Sequence, residues 1–183
     1  CQKECESVLQ LKTVTPQFAD FDKVSALYHS AFPENERRPL EEMFSFLSGG
    51  GEFLALYDGE TFCGFVCLLS WQDITHILYL AIDSRLRGRG YGTGMLSAIR
   101  QRYPHSRLIA DIELETSDAP NNTERRQRKH FYQKSGYRSS EVQYRWREES
   151  YEIIVSGGDF DKADFRSFWN AFGVSKGVFS KAQ

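Results

Sequence analysis

The sequence predicts a mixed α/β fold, and two observations support this assignment. Apolar or alternating stretches typical of strands are interspersed with stretches of helical periodicity, in the order β-α-α-β-β-β-α-β-α-β-β. In addition, the segment Ile77–Ala98 joins an apolar strand to a loop rich in glycine and arginine, and then to a helix. A chain of 183 residues is long enough for one domain, or for one domain with a small appendage.

Turn residues separate the predicted elements in the first half of the chain. The second helix stops at Gly49–Gly51, and Asp58-Gly59 is a favourable hairpin turn. A charged loop bracketed by prolines, within Phe32–Pro39, separates the two helices. In order, we expect a strand at Leu9–Val14, helices at Phe18–Ala31 and Leu40–Leu47, and a hairpin of Glu52–Tyr57 and Thr61–Ser70.

The second half alternates strands and helices before it ends in a hairpin through Glu148-Glu149-Ser150. In one of its strands, aliphatic residues alternate strictly with the acidic residues Asp111, Glu113 and Glu115, which therefore share a face. We expect strands at Asp73–Ile82, Arg107–Glu115, Glu141–Arg147 and Tyr151–Val155, and helices from Met95 to about Tyr103 and from Glu124 to Ser135.

The glycine-rich loop has the character of a phosphate-binding site. Glycine occupies every second position from Gly88 to Gly94, although each glycine costs roughly 0.5–1 kcal/mol against alanine in a regular element. Glycine lets the backbone approach a ligand, and the N–H groups at a helix start attract anions. Three arginines, Arg85, Arg87 and Arg89, add positive charge. The alternative is a flexible surface turn.

Two common nucleotide-binding patterns do not fit this loop. The P-loop requires a lysine, which the loop lacks, and the dinucleotide pattern Gly-x-Gly-x-x-Gly would need glycine where Thr93 or Met95 stands. The stretch from Arg87 to Gly92 instead resembles the Arg/Gln-x-x-Gly-x-Gly/Ala motif of the GCN5-related N-acetyltransferase (GNAT) superfamily. A second stretch, Phe131–Tyr137, is similar to that family's Phe-Tyr-x-x-x-Gly-Phe/Tyr motif. The resemblance covers roughly residues 9–155, including the order of elements.

The resemblance implies the fold and the co-substrate. The fold is an acyl-coenzyme A N-acyltransferase fold, with a central mixed, mostly antiparallel sheet flanked by helices. The co-substrate is acetyl-coenzyme A, whose pyrophosphate is held by the loop and the following helix, and whose pantetheine arm is held by backbone at the end of the central strand. The residues expected to bind it are Leu80, Ala81, Ile82, Arg87, Gly88, Arg89, Gly90, Tyr91, Gly92, Thr93 and Asn122. For Asn122, capping of its helix is the favoured alternative.

Acetyl transfer to an amine requires a base and an acid. Only about one amine in 2,500 is neutral at pH 7 when its pKa is near 10.4, and the departing thiolate needs a proton. The resemblance places Tyr132 as the general acid; the alternative is a packing tyrosine. Glu113 and Glu115 are the first candidates for the base, with a solvated strand edge or a binding site for a cationic acceptor as alternatives. His76 and His29 are weaker candidates.

Basic residues at Arg125–Lys129 lie on the same helix as Tyr132. They are suited to contact coenzyme phosphates, to pair with the acids of the preceding strand, or to form a solvated face; we favour ion pairing, because that strand leads directly into this helix. The charged loop Phe32–Pro39 lies where the family places acceptor-facing residues, which makes it a candidate for acceptor selection.

Composition excludes several classes of protein. A formal net charge of −2 argues against a general binder of nucleic acid or membrane surfaces, and no apolar run reaches the ~18 residues needed to span a bilayer.

Cys63 and Cys67 are expected to be buried structural thiols rather than metal ligands, so we expect no metal site and a reduced, cytoplasmic protein. An N-terminal Cys1 points to processing or to a cut for expression; a lipid-modified cysteine is the less favoured alternative.

We therefore predict an acetyltransferase domain over 1–156 and a C-terminal helical extension over 157–183. The extension repeats aromatic residues at helical spacing from Phe165 to Phe172, and it packs either on its own domain, which we favour, or at a homodimer interface. The predicted reaction is direct acetyl transfer to an amine in a ternary complex, since no residue stands in a nucleophile arrangement. The acceptor is a small molecule or a peptide, with a slight preference for a small cationic molecule. The alternative is a non-catalytic acyl-coenzyme A sensor.

Overall fold

The computed structural model describes residues 8–174 and the backbone of 178–179. The predictions for Cys1 and for the end of the C-terminal extension lie outside these residues. The chain divides into two compact units. The first comprises Cys1–Leu69 and Leu78–Arg102, and the second comprises Ser70–Ile77 and Tyr103–Gln183.

The first unit combines the N-terminal strands with three helices. Its elements are β1 (Leu9–Thr13), α1 (Phe21–Ala31), α2 (Leu40–Leu47), β2 (Gly51–Asp58), β3 (Thr61–Trp71, as far as Leu69), the second half of β4 (Ile74–Ile82) and α3 (Tyr91–Arg102). The strand order is β1-β2-β3-β4, and β1–β2 and β2–β3 are antiparallel. Its core includes the fully buried side chains of Tyr28, Leu54, Leu56 and Phe65.

Two tyrosines fasten the charged loop that follows α1. The Tyr28 hydroxyl donates to the Arg38 carbonyl oxygen at 2.7 Å, and the Tyr79 hydroxyl donates to that of Glu36 at 2.7 Å. The two rings pack edge to face with centroids 5.2 Å apart. Aromatic burial and two hydrogen bonds therefore fix the backbone of this loop.

The second unit contains the remaining strands and two helices. Its elements are the first half of β4, β5 (Arg107–Glu113), α4 (Asn122–Lys134), β6 (Arg138–Trp146), β7 (Glu149–Ser156), α5 (Lys162–Ala171) and the short β8 (Val178–Phe179). The strand order is β4-β5-β7-β6-β8. The β4–β5 pair is parallel and the other pairs are antiparallel, so the predicted mixed, mostly antiparallel α/β fold is confirmed.

Helix α5 packs by its aromatic face. An Asp161/Asp164 capping box starts the helix, and Phe165, Phe168 and Trp169 are buried. The Trp169 ring lies 5.2 Å from that of His76 in the same unit. The predicted boundary at 156/157 and the homodimer remain predictions.

Three predicted boundaries are wrong in ways that matter for the site. Helix α3 begins at Tyr91 rather than Met95, because the first turn of a helix tolerates glycine and leaves its N–H groups unbonded. Strand β5 ends at Glu113, so Glu115 lies in the following loop instead of on the strand. The last hairpin turns at Arg147-Glu148, since Glu149 already belongs to β7.

Candidate coenzyme and catalytic sites

The two left-handed glycines of the loop border open space, which a bound phosphate would need. Gly88 (φ +74°) and Gly90 (φ +85°) adopt the left-handed conformation, which costs other residues roughly 1–2 kcal/mol. A Cβ added at either position would meet no atom within 4 Å. Arg87 and Arg89 are exposed beside them. The space in front of α3 is therefore free for a ligand, and the glycines are needed for conformation.

Helix α3 supplies the donors for an anion. The first helical hydrogen bond of α3 runs from the Gly94 N–H to the Gly90 carbonyl oxygen at 2.9 Å. The N–H groups of Tyr91, Gly92 and Thr93 precede that bond and have no intrahelical acceptor. Three backbone donors, the helix dipole and two arginines match the charge of a pyrophosphate. The residues present thus fit the phosphates of a coenzyme.

Hydrogen bonds anchor the loop on both sides. Asp83 accepts from the N–H and guanidinium of Arg85, which lower the pKa of that carboxyl to about 2. The Tyr91 hydroxyl donates to Asp58 Oδ2 at 2.6 Å, and this bond raises the pKa of Tyr91 to about 12. Gly94 serves packing, because a Cβ there would overlap the Leu9 side chain. Arg85 is therefore a loop anchor rather than a free cation.

The end of β4 carries the predicted pantetheine-binding backbone. The parallel ladder with β5 covers Ile74–Ile77, so Leu80–Ile82 lie beyond it on the strand. Leu80 and Ile82 are half-buried and Ala81 is buried. Gly64 on β3 is required here, because a Cβ would overlap the Ala81 carbonyl oxygen. Sequence reasoning missed Gly64, which has no local motif around it.

Tyr132 lies on α4 in the second unit and is 6 % exposed. Its ring packs edge-on against Phe131 and Tyr137. Burial raises the pKa of Tyr132; the charge of Arg128 opposes this rise, and that of Asp111 adds to it. The hydroxyl makes no hydrogen bond to any residue that the structure describes. Tyr132 is thus a protonated phenol whose hydroxyl has no hydrogen-bond partner among the described residues.

Glu113 of β5 and Glu115 of the loop after it pair with arginines of α4, as predicted, whereas Asp111 bonds to His76. Glu113 is 8 % exposed and bonds to Arg128, while Glu115 pairs with Arg126 at 3.3 Å. The solvated-edge alternative is wrong for Glu113, because that side chain is buried. Two basic residues of α4 have other partners. Arg125 forms a two-pronged ion pair with Glu149 at 2.8 and 3.1 Å, and Lys129 lies 3.8 Å from Glu152.

Each of the three other candidate residues makes a hydrogen bond within the protein. Asn122 does not cap α4: Asn121 is the N-cap residue, and Asn122 Oδ1 accepts from the Thr116 N–H at 3.1 Å. His29 is exposed on α1, with Nδ1 2.7 Å from the Ser25 carbonyl oxygen. His76 is fully buried and bonds to Asp111.

The predicted burial of the two cysteines is confirmed, since Cys63 and Cys67 are both buried, and both are free thiols. Burial raises the pKa of both thiols. Among residues 8–174, no cluster of three histidine, cysteine or acidic side chains is arranged to hold a metal ion. None of the described helices has the length and apolar character that crossing a membrane requires.

The chain shares its fold with solved acetyltransferases. A putative GNAT-family acetyltransferase from Bacteroides thetaiotaomicron superposes with a TM-score of 0.72 at 17% identity, covering 86% of this chain and 92% of that one. A GNAT acetyltransferase from Elizabethkingia anophelis with acetyl-coenzyme A bound gives 0.56 at 13% identity, covering 81% and 97%. An aminoglycoside 6'-N-acetyltransferase complexed with coenzyme A gives 0.64 at 16% identity, covering 80% and 96%.

The sequence itself identifies the family. A family model described as the acetyltransferase (GNAT) family matches residues 21–137. This match covers more than half of the chain and includes both motifs, so the protein belongs to the acetyltransferase (GNAT) family. A comparison with curated proteins found no match.

Proposed function

We propose that the protein transfers the acetyl group of acetyl-coenzyme A directly to the nitrogen of an amine. The observation that carries this proposal is the open, arginine-flanked loop at Gly88–Gly90, placed at the N-terminus of α3 in a chain of the acetyltransferase family. Solved proteins of the same fold hold acetyl-coenzyme A or coenzyme A, which supports the choice of co-substrate.

The coenzyme is proposed to bind mainly through backbone. The N–H groups of Tyr91–Thr93 and the side chains of Arg87 and Arg89 hold the pyrophosphate, while Gly88 and Gly90 keep the approach clear. Backbone groups of Leu80–Ile82 hold the pantetheine arm. Asn122 is the remaining proposed contact, and its amide NH₂ is its available donor because Oδ1 already accepts from Thr116.

Side chains of the protein are proposed to supply the acid and the base that acetyl transfer requires. Acetyl-coenzyme A brings an acetyl group that is activated as a thioester. The Tyr132 hydroxyl donates its proton toward the departing sulfur, and burial keeps that proton in place at neutral pH because it raises the pKa of Tyr132. The acidic face of β5 and the loop after it supply the base, for which Glu113 and Glu115 are the sequence-predicted candidates.

The acceptor is proposed to be a small cationic amine rather than a peptide. One solved neighbour is an aminoglycoside 6'-N-acetyltransferase, and aminoglycosides are small cationic amines, which supports this choice. A peptide amine is the second acceptor class. The cytoplasmic location and the homodimer stay predictions.

A second candidate function is a non-catalytic acyl-coenzyme A sensor. One observation favours it: Glu113 and Glu115 each form an ion pair with an arginine of α4, so both candidate bases already have a partner within the chain. The Tyr132 hydroxyl, which has no hydrogen-bond partner among the described residues, favours the enzyme, since coenzyme binding alone does not require a proton donor there.

Release of the coenzyme thiol across a panel of amines distinguishes the two functions. The panel contains aminoglycosides, polyamines, amino acids and peptides with free N-termini, and each is compared with a control that lacks an acceptor. We expect a cationic amine to raise release above the control. Coenzyme binding with no acceptor-dependent release across all four classes would favour the sensor, and absence of coenzyme binding would refute both.

A further inference from the structure

The tip of the β2–β3 hairpin is hydrogen-bonded to the start of α3. The hydroxyl of Tyr91, the first residue of α3, donates to Oδ2 of Asp58, the last residue of β2, at 2.6 Å. Both side chains are half-buried, and Asp58 pairs with Thr61 where the chain turns into β3. The bond therefore joins a tightly turned segment to the helix turn whose N–H groups have no intrahelical acceptor.

The same hairpin contacts the end of β4. The Cys63 carbonyl oxygen accepts from the N–H of Asp83, the residue after β4, at 2.8 Å. Gly64 lies so close to the next strand that an added Cβ would overlap the Ala81 carbonyl oxygen. The hairpin thus contacts the strand end proposed to hold the pantetheine arm and, through Asp58, the helix start proposed to hold the phosphates.

The Cys63 thiol shows how close these groups lie to one another. Burial is the main cause that raises the pKa of this thiol, and the charges of Asp58 and Asp83 add to the rise. Both carboxylates therefore lie within electrostatic reach of one buried sulfur, although one belongs to the hairpin tip and the other to the loop after β4. One compact group of side chains in the first unit links the two proposed coenzyme contacts.

A second tyrosine–aspartate bond starts from the neighbouring residue of β2 and reaches a different helix. The Tyr57 hydroxyl donates to Asp20, which is the N-cap residue of α1. Successive side chains of a strand point to opposite faces, so the two bonds leave β2 in opposite directions. The Tyr57–Asp20 bond therefore offers a matched comparison, with the same chemistry on the same strand but directed at α1 rather than α3.

We infer that Asp58 is a positioning residue for the coenzyme, and that it acts through the Tyr91 hydroxyl to hold the first turn of α3 at a fixed distance from the end of β4. This inference rests on the proposed binding of acetyl-coenzyme A, but not on the transfer step. The hairpin then aligns the donors for the pyrophosphate with the backbone for the pantetheine arm.

Preorganisation gives this bond an effect on coenzyme affinity. A ligand that bridges two contacts binds tightly when both are already at the right spacing, because any free energy needed to order the helix start weakens binding. The first turn of a helix lacks intrahelical bonds to its N–H groups, so a side-chain bond limits its fraying. If the helix start were correctly placed in only about a tenth of the molecules, the apparent Kd would rise about 10-fold.

The first test measures the Kd of coenzyme A by calorimetry on the full chain. Tyr91→Phe keeps the ring and the backbone N–H but removes the hydroxyl, and we expect Kd to rise about 10-fold. Tyr57→Phe is the matched control, and it should bind coenzyme A as the wild type does, whatever its loss of stability. Equal affinity of Tyr91→Phe and the wild type, or equal weakening in the two variants, would overturn the inference.

Variants of Asp58 show whether it acts through Tyr91. Asp58→Asn keeps an oxygen that accepts from the hydroxyl and should bind coenzyme A at least as tightly as the wild type, whereas Asp58→Ala should bind about 10-fold more weakly. In the Tyr91→Phe background, Asp58→Ala should cause no further loss, because both changes remove the same bond. Further weakening in the double variant, or binding by Asp58→Asn as weak as by Asp58→Ala, would contradict the positioning role.

Amide hydrogen exchange gives a local readout that needs no ligand. The Gly94 N–H forms the first helical bond of α3, so its exchange should be faster in Tyr91→Phe than in the wild type and unchanged in Tyr57→Phe. Unchanged exchange in Tyr91→Phe would also overturn the inference. If Asp58→Ala does not fold, the coenzyme affinity of Tyr91→Phe and the exchange at Gly94 decide.

Failure of the inference and failure of the proposed function give different results. If the wild type binds coenzyme A and Tyr91→Phe binds it equally well, the inference falls and the proposed function stands. If the variants differ as expected but no amine of the panel raises thiol release, the proposed transfer fails and the inference stands. If the wild type does not bind coenzyme A, both fail.

Discussion

Replacing Gly90 by alanine allows the cost to the stability of the free protein to be measured apart from the cost to coenzyme affinity. Gly90 has φ +85°, and an added Cβ meets no protein atom within 4 Å, so its only cost to the free protein is conformational, about 1–2 kcal/mol. In the complex, the Cβ stands where the backbone approaches the phosphates. Loss of one charge-assisted hydrogen bond costs about 1.5–3 kcal/mol, which is roughly a 10- to 150-fold weaker Kd.

The matched control is Gly173→Ala. Gly173 follows α5, also has positive φ (+67°), and has equally open surroundings. Urea unfolding should show a loss of about 1–2 kcal/mol for both variants. Calorimetric titration with coenzyme A should show weaker binding for Gly90→Ala alone. Unchanged coenzyme affinity in Gly90→Ala, or equal weakening in both variants, would refute the proposal that the Gly88–Gly90 loop binds the coenzyme phosphates.

Three further predictions concern the second unit. Tyr132→Phe should lower kcat about 100-fold. The free energy of unfolding in urea should be nearly unchanged, because the hydroxyl has no hydrogen bond to a described residue. An unaltered kcat would indicate that Tyr132 only packs in the core. Arg125→Met should cost roughly 2–4 kcal/mol at pH 7, since Arg125 is buried and its partner Glu149 is about a third exposed. Arg125 lowers the pKa of Glu149 below its unfolded value of 4.5, so the stabilisation by this ion pair is present above pH 4.5 and is lost as the pH falls through the lowered pKa. The variant should therefore lose less stability than the wild type on acidification. Parallel profiles of stability against pH for the two proteins would contradict this pairing. Phe168→Ala should cost about 3–5 kcal/mol in urea unfolding, because its side chain is fully buried, whereas a loss below about 1 kcal/mol would indicate that α5 is only loosely attached.

Local patterns in the sequence predicted the features that depend on neighbouring residues. The glycine loop, the hairpin at Asp58-Gly59 and the pairing of Glu113 with the following helix each arise within a short stretch of chain. For that reason the order of elements and the open glycine loop before α3 were predictable. The buried cysteines followed from their place in an apolar run.

Features that depend on strand pairing were not predictable. Gly64 is needed only because β3 passes close to the Ala81 carbonyl, and the His76–Asp111 bond joins two strands 35 positions apart. The capping error at Asn122 has a different origin. Two adjacent asparagines suit the N-cap position equally well, and the sequence does not show that the Asn122 side chain bonds to the Thr116 N–H instead.

Acetyl transfer itself is tested most directly with a carbon-labelled acetyl group. Acetyl-coenzyme A labelled in its acetyl carbon is incubated with the protein and the amines of the panel, and both the products and the intact protein are analysed by mass spectrometry. Direct transfer predicts label on the amine nitrogen of one acceptor class, with the mass of the protein unchanged during turnover. Label only in free acetate, or retained on the protein as an acetylated intermediate, would contradict the account.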